Sequence, residues 1–129
     1  MAQVKIYGRR AHLDRVRDRL SAAIQACLVA AFGLPPEKRF QRFIALDDGD
    51  FIYPADRSDQ YTIIEIVMFD GRSPAAKKQL ITLLFERLQA DAGIAPNDVE
   101  IVMLEAPRAN WGIRGKPGDE LTLTYTVEV

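Results

Sequence analysis

A single cysteine, a single histidine and no long apolar run set the first limits on this chain. One cysteine excludes an internal disulfide, and Cys27 stands beside an apolar helical stripe, where a small buried side chain is expected. With one histidine as well, soft ligands are too few for a dedicated zinc site, so neither a metal nor another cofactor is expected. The apolar segments fall far short of the roughly 20 residues that span a bilayer. The N-terminus shows none of the charged, apolar and small-residue regions of a signal peptide, so a cytoplasmic location and no membrane partner are the expectation. Charge of one sign is lacking too: 17 Lys and Arg face 18 Asp and Glu, which gives no global attraction to nucleic acid. Arg9, Arg10, Arg15, Arg17 and Arg19 form a basic run, but Asp14 and Asp18 interrupt it, so it reads as a wet helix face. Asp47, Asp48 and Asp50 lack the bidentate Glu of a calcium loop and read as a polar turn. What remains is a globular composition, 48% hydrophobic over 129 residues, enough for one domain with a real core.

The chain is organised around Tyr61 to Leu88. Tyr61 to Phe69 is rich in β-branched and aromatic residues with only Glu65 charged, the pattern of a central strand. Gly71 allows the turn that follows. Ser73 is a good helix N-cap, and Pro74 stands at the first helical position, where a missing N–H costs nothing. Leu80, Ile81, Leu83, Leu84 and Leu88 form the apolar stripe of the helix, while Lys77, Lys78, Gln79, Glu86 and Arg87 stay on its wet side.

The same unit occurs sixty positions earlier. Val4 and Ile6 answer Ile64 and Ile66; Leu20, Ile24 and Leu28 answer Leu80, Leu84 and Leu88; Gly33-Leu34-Pro35-Pro36 answers Gly93-Ile94-Ala95-Pro96. Agreement in strand, stripe and helix-ending turn marks an internal duplication. The expected order is a strand over Ala2 to Tyr7, a turn over Gly8 to Leu13, a helix over Asp14 to Phe32 and a strand over Arg39 to Leu46. A loop over Asp47 to Gln60, with a short hairpin near Phe51 to Tyr53, leads into the second unit. A strand over Val99 to Leu104, a loop over Pro107 to Asp119 and a final strand over Leu121 to Val129 complete the chain. Repeat 1 thus spans about 2–46, repeat 2 about 61–105, and 106–129 is an extension. Two β-α-β repeats give an α/β fold, an α+β sandwich with a four-stranded mixed sheet and both helices on one face. Strands 1, 3 and 4 carry apolar residues on both alternations, and no third helix covers the second face. Association through the sheets is expected, with the terminal strand touching a neighbouring subunit.

These residues carry a resemblance. Two joined β-α-β units, a strand starting at residue 2, RFQ after the Gly-Leu-Pro-Pro turn, RSD before the third strand, GRS opening the second helix, G-I-x-P-x-D-V before the fourth strand and NWG after it resemble the tautomerase superfamily. The likeness runs over about residues 2 to 112 and leans toward the longer-chain branch of malonate semialdehyde decarboxylase and its homologues. It implies a homotrimer and an N-terminal proline whose secondary amine, held near neutral pKa by a neighbouring cation and an apolar pocket, works as base or acid. It implies a carboxylate-binding role for Arg72 at the start of the second helix and an apolar wall from Trp111, Ile113 and Phe40. His12 answers Arg72 in the first repeat as a candidate second anion residue, against a solvated loop histidine. The chain departs from the pattern at Ala2, where the proline is expected, at Asp70, where the decarboxylase has a second arginine, and at Lys38, where it has an aspartate. The expectation is a protein with lost or strongly reduced tautomerase activity and a residual pocket for a small carboxylate. The alternative is an isomerase, or a decarboxylase-like enzyme, acting on a small 2-oxo or enol acid through the amine of a processed Ala2.

Overall fold

The computed structural model describes residues 1–129. Strand β1 (Ala2–Arg9) leads straight into helix α1 (Arg10–Phe32), followed by β2 (Gln41–Leu46), β3 (Thr62–Phe69), α2 (Pro74–Ala92) and β4 (Val99–Ala106). The four strands lie in the order β2-β1-β3-β4. β1 and β3 pair antiparallel at the centre, and each repeat adds its own second strand in parallel on the outside. The central register sets Val4 opposite Ile66 and Ile6 opposite Ile64, with Lys5 opposite Glu65. Each pair is the image of another under the sixty-residue offset, so the duplication is a pseudo-two-fold about Lys5 and Glu65.

The helix ends repeat as well. Gly33 has φ 66° and ψ 24°, and Gly93 has φ 68° and ψ 23°. Both take the left-handed conformation that glycine adopts without penalty and return an N–H to the last turn. At the start of α2 the Ser73 hydroxyl accepts from the Ala76 N–H at 3.1 Å, with Pro74 directly inside. The start of α1 is different, and it corrects the expected turn over Gly8 to Leu13. Arg9 caps the helix without a side-chain hydrogen bond, and the helix runs from Arg10, so His12 and Leu13 lie inside its first turn.

The core lies between one sheet face and the two helices. Val4, Ile6, Ile64, Ile66 and Met68 from the sheet meet Leu20, Ile24, Leu28, Leu80, Leu84 and Leu88, all nearly free of solvent. Burying each such side chain contributes about 1.5–3 kcal/mol. Cys27 is buried in the same layer, and burial pushes its thiol up to about 11, which suits a packing residue rather than a nucleophile. The opposite face is less apolar than expected on β1 alone. On β1 it presents Gln3, Lys5 and Tyr7, the Tyr7 hydroxyl donating to Glu65 Oε1 at 2.6 Å. Its apolar part runs from Ile63 and Val67 on β3 to the rim, where Val102 and Leu104 are 42% and 48% exposed.

Leu121–Val129 is not a strand. The C-terminal β structure is instead a two-stranded ribbon, β5 (Gly112–Ile113) against β6 (Lys116–Pro117), and the segment beyond it joins no ladder. Its alternation is real but serves packing: Leu121, Leu123, Tyr125 and Val127 turn inward on the chain's own body, while Thr122, Thr124 and Thr126 face solvent. No strand forms at Phe51–Tyr53 either. Phe51, Tyr53 and Tyr61 pack ring to ring with centroids 5.1–5.4 Å apart.

Candidate active site

The register of the central strands fixes the site. The Phe69 N–H at the end of β3 donates to the Met1 carbonyl at 3.2 Å, which pins the chain just ahead of Ala2 and leaves the Met1 α-amine beyond the ladder. There it opens on a cavity of about 50 Å³ lined by Ala2, Leu34, Lys38, Phe40, Phe69, Ile113, Arg114 and the segment Leu121–Tyr125. The amine bonds to the Tyr125 hydroxyl. Its pKa falls to about 5, first because burial penalises the ammonium form and then because Arg72, Arg108 and Lys38 add positive charge around it. A primary amine of this kind is a neutral base and nucleophile at pH 7.

Arg72 sits behind the cavity rather than in its wall. The tight turn that delivers it depends on Gly71 at φ 121°, where a Cβ would meet Val127 Cγ1 at 3.3 Å. The Arg72 side chain is 96% buried, being 4% exposed. Nη1 donates to the Phe69 carbonyl at 3.2 Å, and the guanidinium lies over the Phe32 ring at 4.6 Å. Nε and Nη2 have no partner among the protein's own groups. Burial pulls the Arg72 pKa down, yet a guanidinium remains charged at any pH of interest. Two parallel donors on a desolvated cation form a fork that fits a carboxylate.

The expected site residues divide accordingly. Ala2, Phe40 and Ile113 line the cavity, whereas Arg72 and Trp111 stand one layer back. Trp111 meets Phe69 edge to face at 5.2 Å and donates from Nε1 to the Ala106 carbonyl at 3.4 Å, so it supports the wall without forming it. Lys38 and Asp70, the departures besides Ala2, also separate: Lys38 reaches the cavity and Asp70 is exposed. Reasoning from sequence missed Arg108, Arg114 and Tyr125. Arg108 ties the terminal segment down, donating from Nη2 to the Leu121 carbonyl at 2.8 Å and from Nε to the Gly118 carbonyl at 3.1 Å. The inward phase of the Leu121–Val129 alternation was the one available signal for Tyr125.

The pseudo-symmetric end of the sheet shows what the duplication did with the second copy. Thr62 stands where Ala2 does, His12 where Arg72 does and Asp98 where Lys38 does, each sixty positions apart. His12 is neither a solvated loop residue nor an open anion site: it is 1% exposed. The Thr62 hydroxyl donates to the Gln60 carbonyl at 2.8 Å, so its oxygen is free to accept from His12 Nε2 at 3.4 Å, and Nδ1 keeps a buried lone pair. Burial lowers the His12 pKa. Asp98 is used structurally, accepting from the Ser58 N–H at 2.8 Å and from its hydroxyl at 2.6 Å. Asp47 and Asp48 pair with Arg10 and Arg9 at the same end. This copy is closed by its own side chains.

Comparison with known proteins agrees with the geometry. The family model described as tautomerase enzyme matches residues 38–114. A 2-hydroxymuconate tautomerase of Pseudomonas putida is 35% identical over 57 residues, which cover 44% of this chain and 90% of that protein. Less than half of this chain thus answers nearly all of a relative, as a doubled unit would. Among solved structures, malonate semialdehyde decarboxylase, studied as wild type, in an inactivated form and with its leading proline changed to alanine, superposes with a TM-score of 0.81 at 26% identity, over 92% of this chain and 99% of its own. A fused 4-OT solved as an asymmetric trimer shares the fold at a TM-score of 0.80 and 19% identity, covering 91% of this chain and 96% of that one. A chain-start cavity beside a buried arginine, a duplicated β-α-β frame and a family match over more than half the sequence together make this chain a member of the tautomerase superfamily.

Proposed function

We propose that the protein binds a small carboxylic acid at Arg72, inside a homotrimer, and that it has lost or strongly reduced the proline-based turnover that the resemblance implies. The observation that carries this reading is the pair of unpartnered donors, Nε and Nη2, on a guanidinium that is 4% exposed. A buried charge with unmet donors is costly to the fold, and a bound anion relieves that cost. Alanine at position 2 stands where the resemblance implies a proline, and so removes the secondary amine of the implied chemistry. The decarboxylase comparison fits less well at the acid-handling residues, since Lys38 and Asp70 replace the expected aspartate and arginine. The exposed apolar rim at Val102 and Leu104 supports association of the sheets, and the fused 4-OT supplies the trimer as precedent.

One observation favours a second reading, an active tautomerase: the α-amine in the cavity is held near pKa 5 and is unprotonated at neutral pH. A base there takes the proton from an enol oxygen and returns one to the conjugated carbon, with the carboxylate on Arg72. Following phenylenolpyruvate by ultraviolet absorbance, with intact mass to establish whether Met1 or Ala2 carries the amine, separates the two readings. The first expects a rate at or close to that of buffer alone; the second expects brisk turnover that disappears in Arg72→Met.

A further inference from the structure

Gln25 is a polar side chain set into the apolar layer of α1. It is 3% exposed, beside Ile24, Cys27 and Leu28, and its Oε1 has no partner. An unmet buried acceptor costs stability that an apolar side chain of the same size would not. What the residue supplies is at its other end. Nε2 donates to the Pro36 carbonyl at 3.1 Å and to the Lys38 carbonyl at 3.3 Å, and it lies 3.5 Å from the Pro35 carbonyl.

The turn that Gln25 reaches carries part of the cavity wall, since Leu34, Lys38 and Phe40 all line it. Pro35 and Pro36 have no N–H to contribute, and the turn's own bond runs from the Lys38 N–H to the Pro35 carbonyl at 2.9 Å. Phe40 is tied separately, its carbonyl accepting from the Val4 N–H at 2.9 Å. Between the Gly33 helix end and Phe40 the backbone is therefore held from α1 by one amide.

The second repeat supplies the contrast. Its turn makes the equivalent bond, from the Asp98 N–H to the Ala95 carbonyl at 2.9 Å. There, however, Phe85 stands where Gln25 does and packs against the core. The amide clamp belongs to the open end alone. Lys38 is the charge that it delivers: the lysine shares a wall with the chain-start amine and is one of three cations that favour the neutral amine. On a loose turn a lysine would swing its strongly hydrated head into water.

We infer that Gln25 is a positioning residue of the cavity, its amide fixing the Pro35–Lys38 turn so that the Lys38 ammonium stays in the wall it shares with the chain-start amine. This inference rests on the cavity being the working site proposed above, and it names the residue that sets the cavity's charge from outside.

Gln25→Met keeps the length and volume of the side chain and removes its donors. The test is the pH midpoint of the chain-start amine, read by nitrogen-15 NMR in the wild type, Gln25→Met, Lys38→Met and the double variant, with circular dichroism on each. Lys38→Met should raise the midpoint and Gln25→Met should raise it by no more than that. The double variant should rise no further than Lys38→Met, because both substitutions act through one charge. An unmoved midpoint in Lys38→Met overturns the inference without any change at Gln25. An unmoved midpoint in Gln25→Met, or rises that add in the double variant, reduce Gln25 to a packing residue and overturn it as well, as does a Gln25→Met chain that fails to fold. The titration uses no carboxylic acid, so failure of the carboxylate reading at Arg72 is a separate outcome.

Discussion

Replacing Arg72 by methionine should cost the fold little and the ligand much. The guanidinium is 4% exposed with two unpartnered donors, and each unmet buried donor costs about 1–3 kcal/mol. Against that stand a desolvated cation–π contact with Phe32, about 2 kcal/mol, and a charge-assisted bond to the Phe69 carbonyl, about 1.5–3 kcal/mol. The opposing sums are about 2–6 and about 3.5–5 kcal/mol, so they nearly cancel, and methionine fills a similar volume without charge. Arg72→Met should unfold in urea within about 2 kcal/mol of wild type at matched protein concentration. Propionate affinity should fall about a hundredfold, the worth of a bidentate charged pair. A stability loss above about 3 kcal/mol would refute the reasoning, because that is the behaviour of a charge built in to hold the structure together. Undiminished propionate binding would do the same from the ligand side.

Three further outcomes follow from the same geometry. The α-amine should titrate near pH 5, being a free base above that and protonated below, and Arg72→Met should move its midpoint upward, since Arg72 is the largest charged contributor after burial; nitrogen-15 NMR of the labelled amine reads both, and an unshifted midpoint in the variant would separate Arg72 from the amine. His12 is held below its ordinary value of 6.5 by burial, so the unfolded chain takes its proton first. Its contribution to stability is full above about pH 6.5 and is lost as pH falls below that, by up to ~1.4 kcal/mol per pH unit, and His12→Gln should flatten this part of the urea-derived stability profile. Leu104→Lys places a charge on a rim residue that is 48% exposed, and sedimentation should show the trimer reduced to monomer; a wild-type protein that already sediments as a monomer would end the trimer proposal.

Legibility in the sequence tracked how local the chemistry was. The Ser73-Pro74 cap, the Gly33 and Gly93 helix ends and the sixty-residue repeat are each fixed by residues a few positions apart, and all were readable. The start of α1 was not, because Arg9 caps it without a side-chain bond, leaving no Ser, Thr, Asp or Asn to mark it. Missing that start misplaced His12 in a loop and hid its burial against Thr62. The last segment failed for another reason: alternation reports which residues face inward and says nothing about what they face. Leu121 to Val129 has the right phase, but the inward side chains pack over the cavity mouth and the Gly71 turn instead of pairing with a strand. Ala2, Arg72, Ile113, Phe40 and Trp111 came from the family resemblance. Tyr125 lies 124 residues from its partner Met1, and no spacing rule reaches across that distance.

The most direct measurement is proton–nitrogen NMR of the arginine side chains during a propionate titration. If the buried fork is the anion site, the Arg72 Nε–H resonance moves and saturates with the added acid, while exposed arginines such as Arg19 stay in place. An Arg72 resonance that holds still while binding is detected by calorimetry would contradict the account.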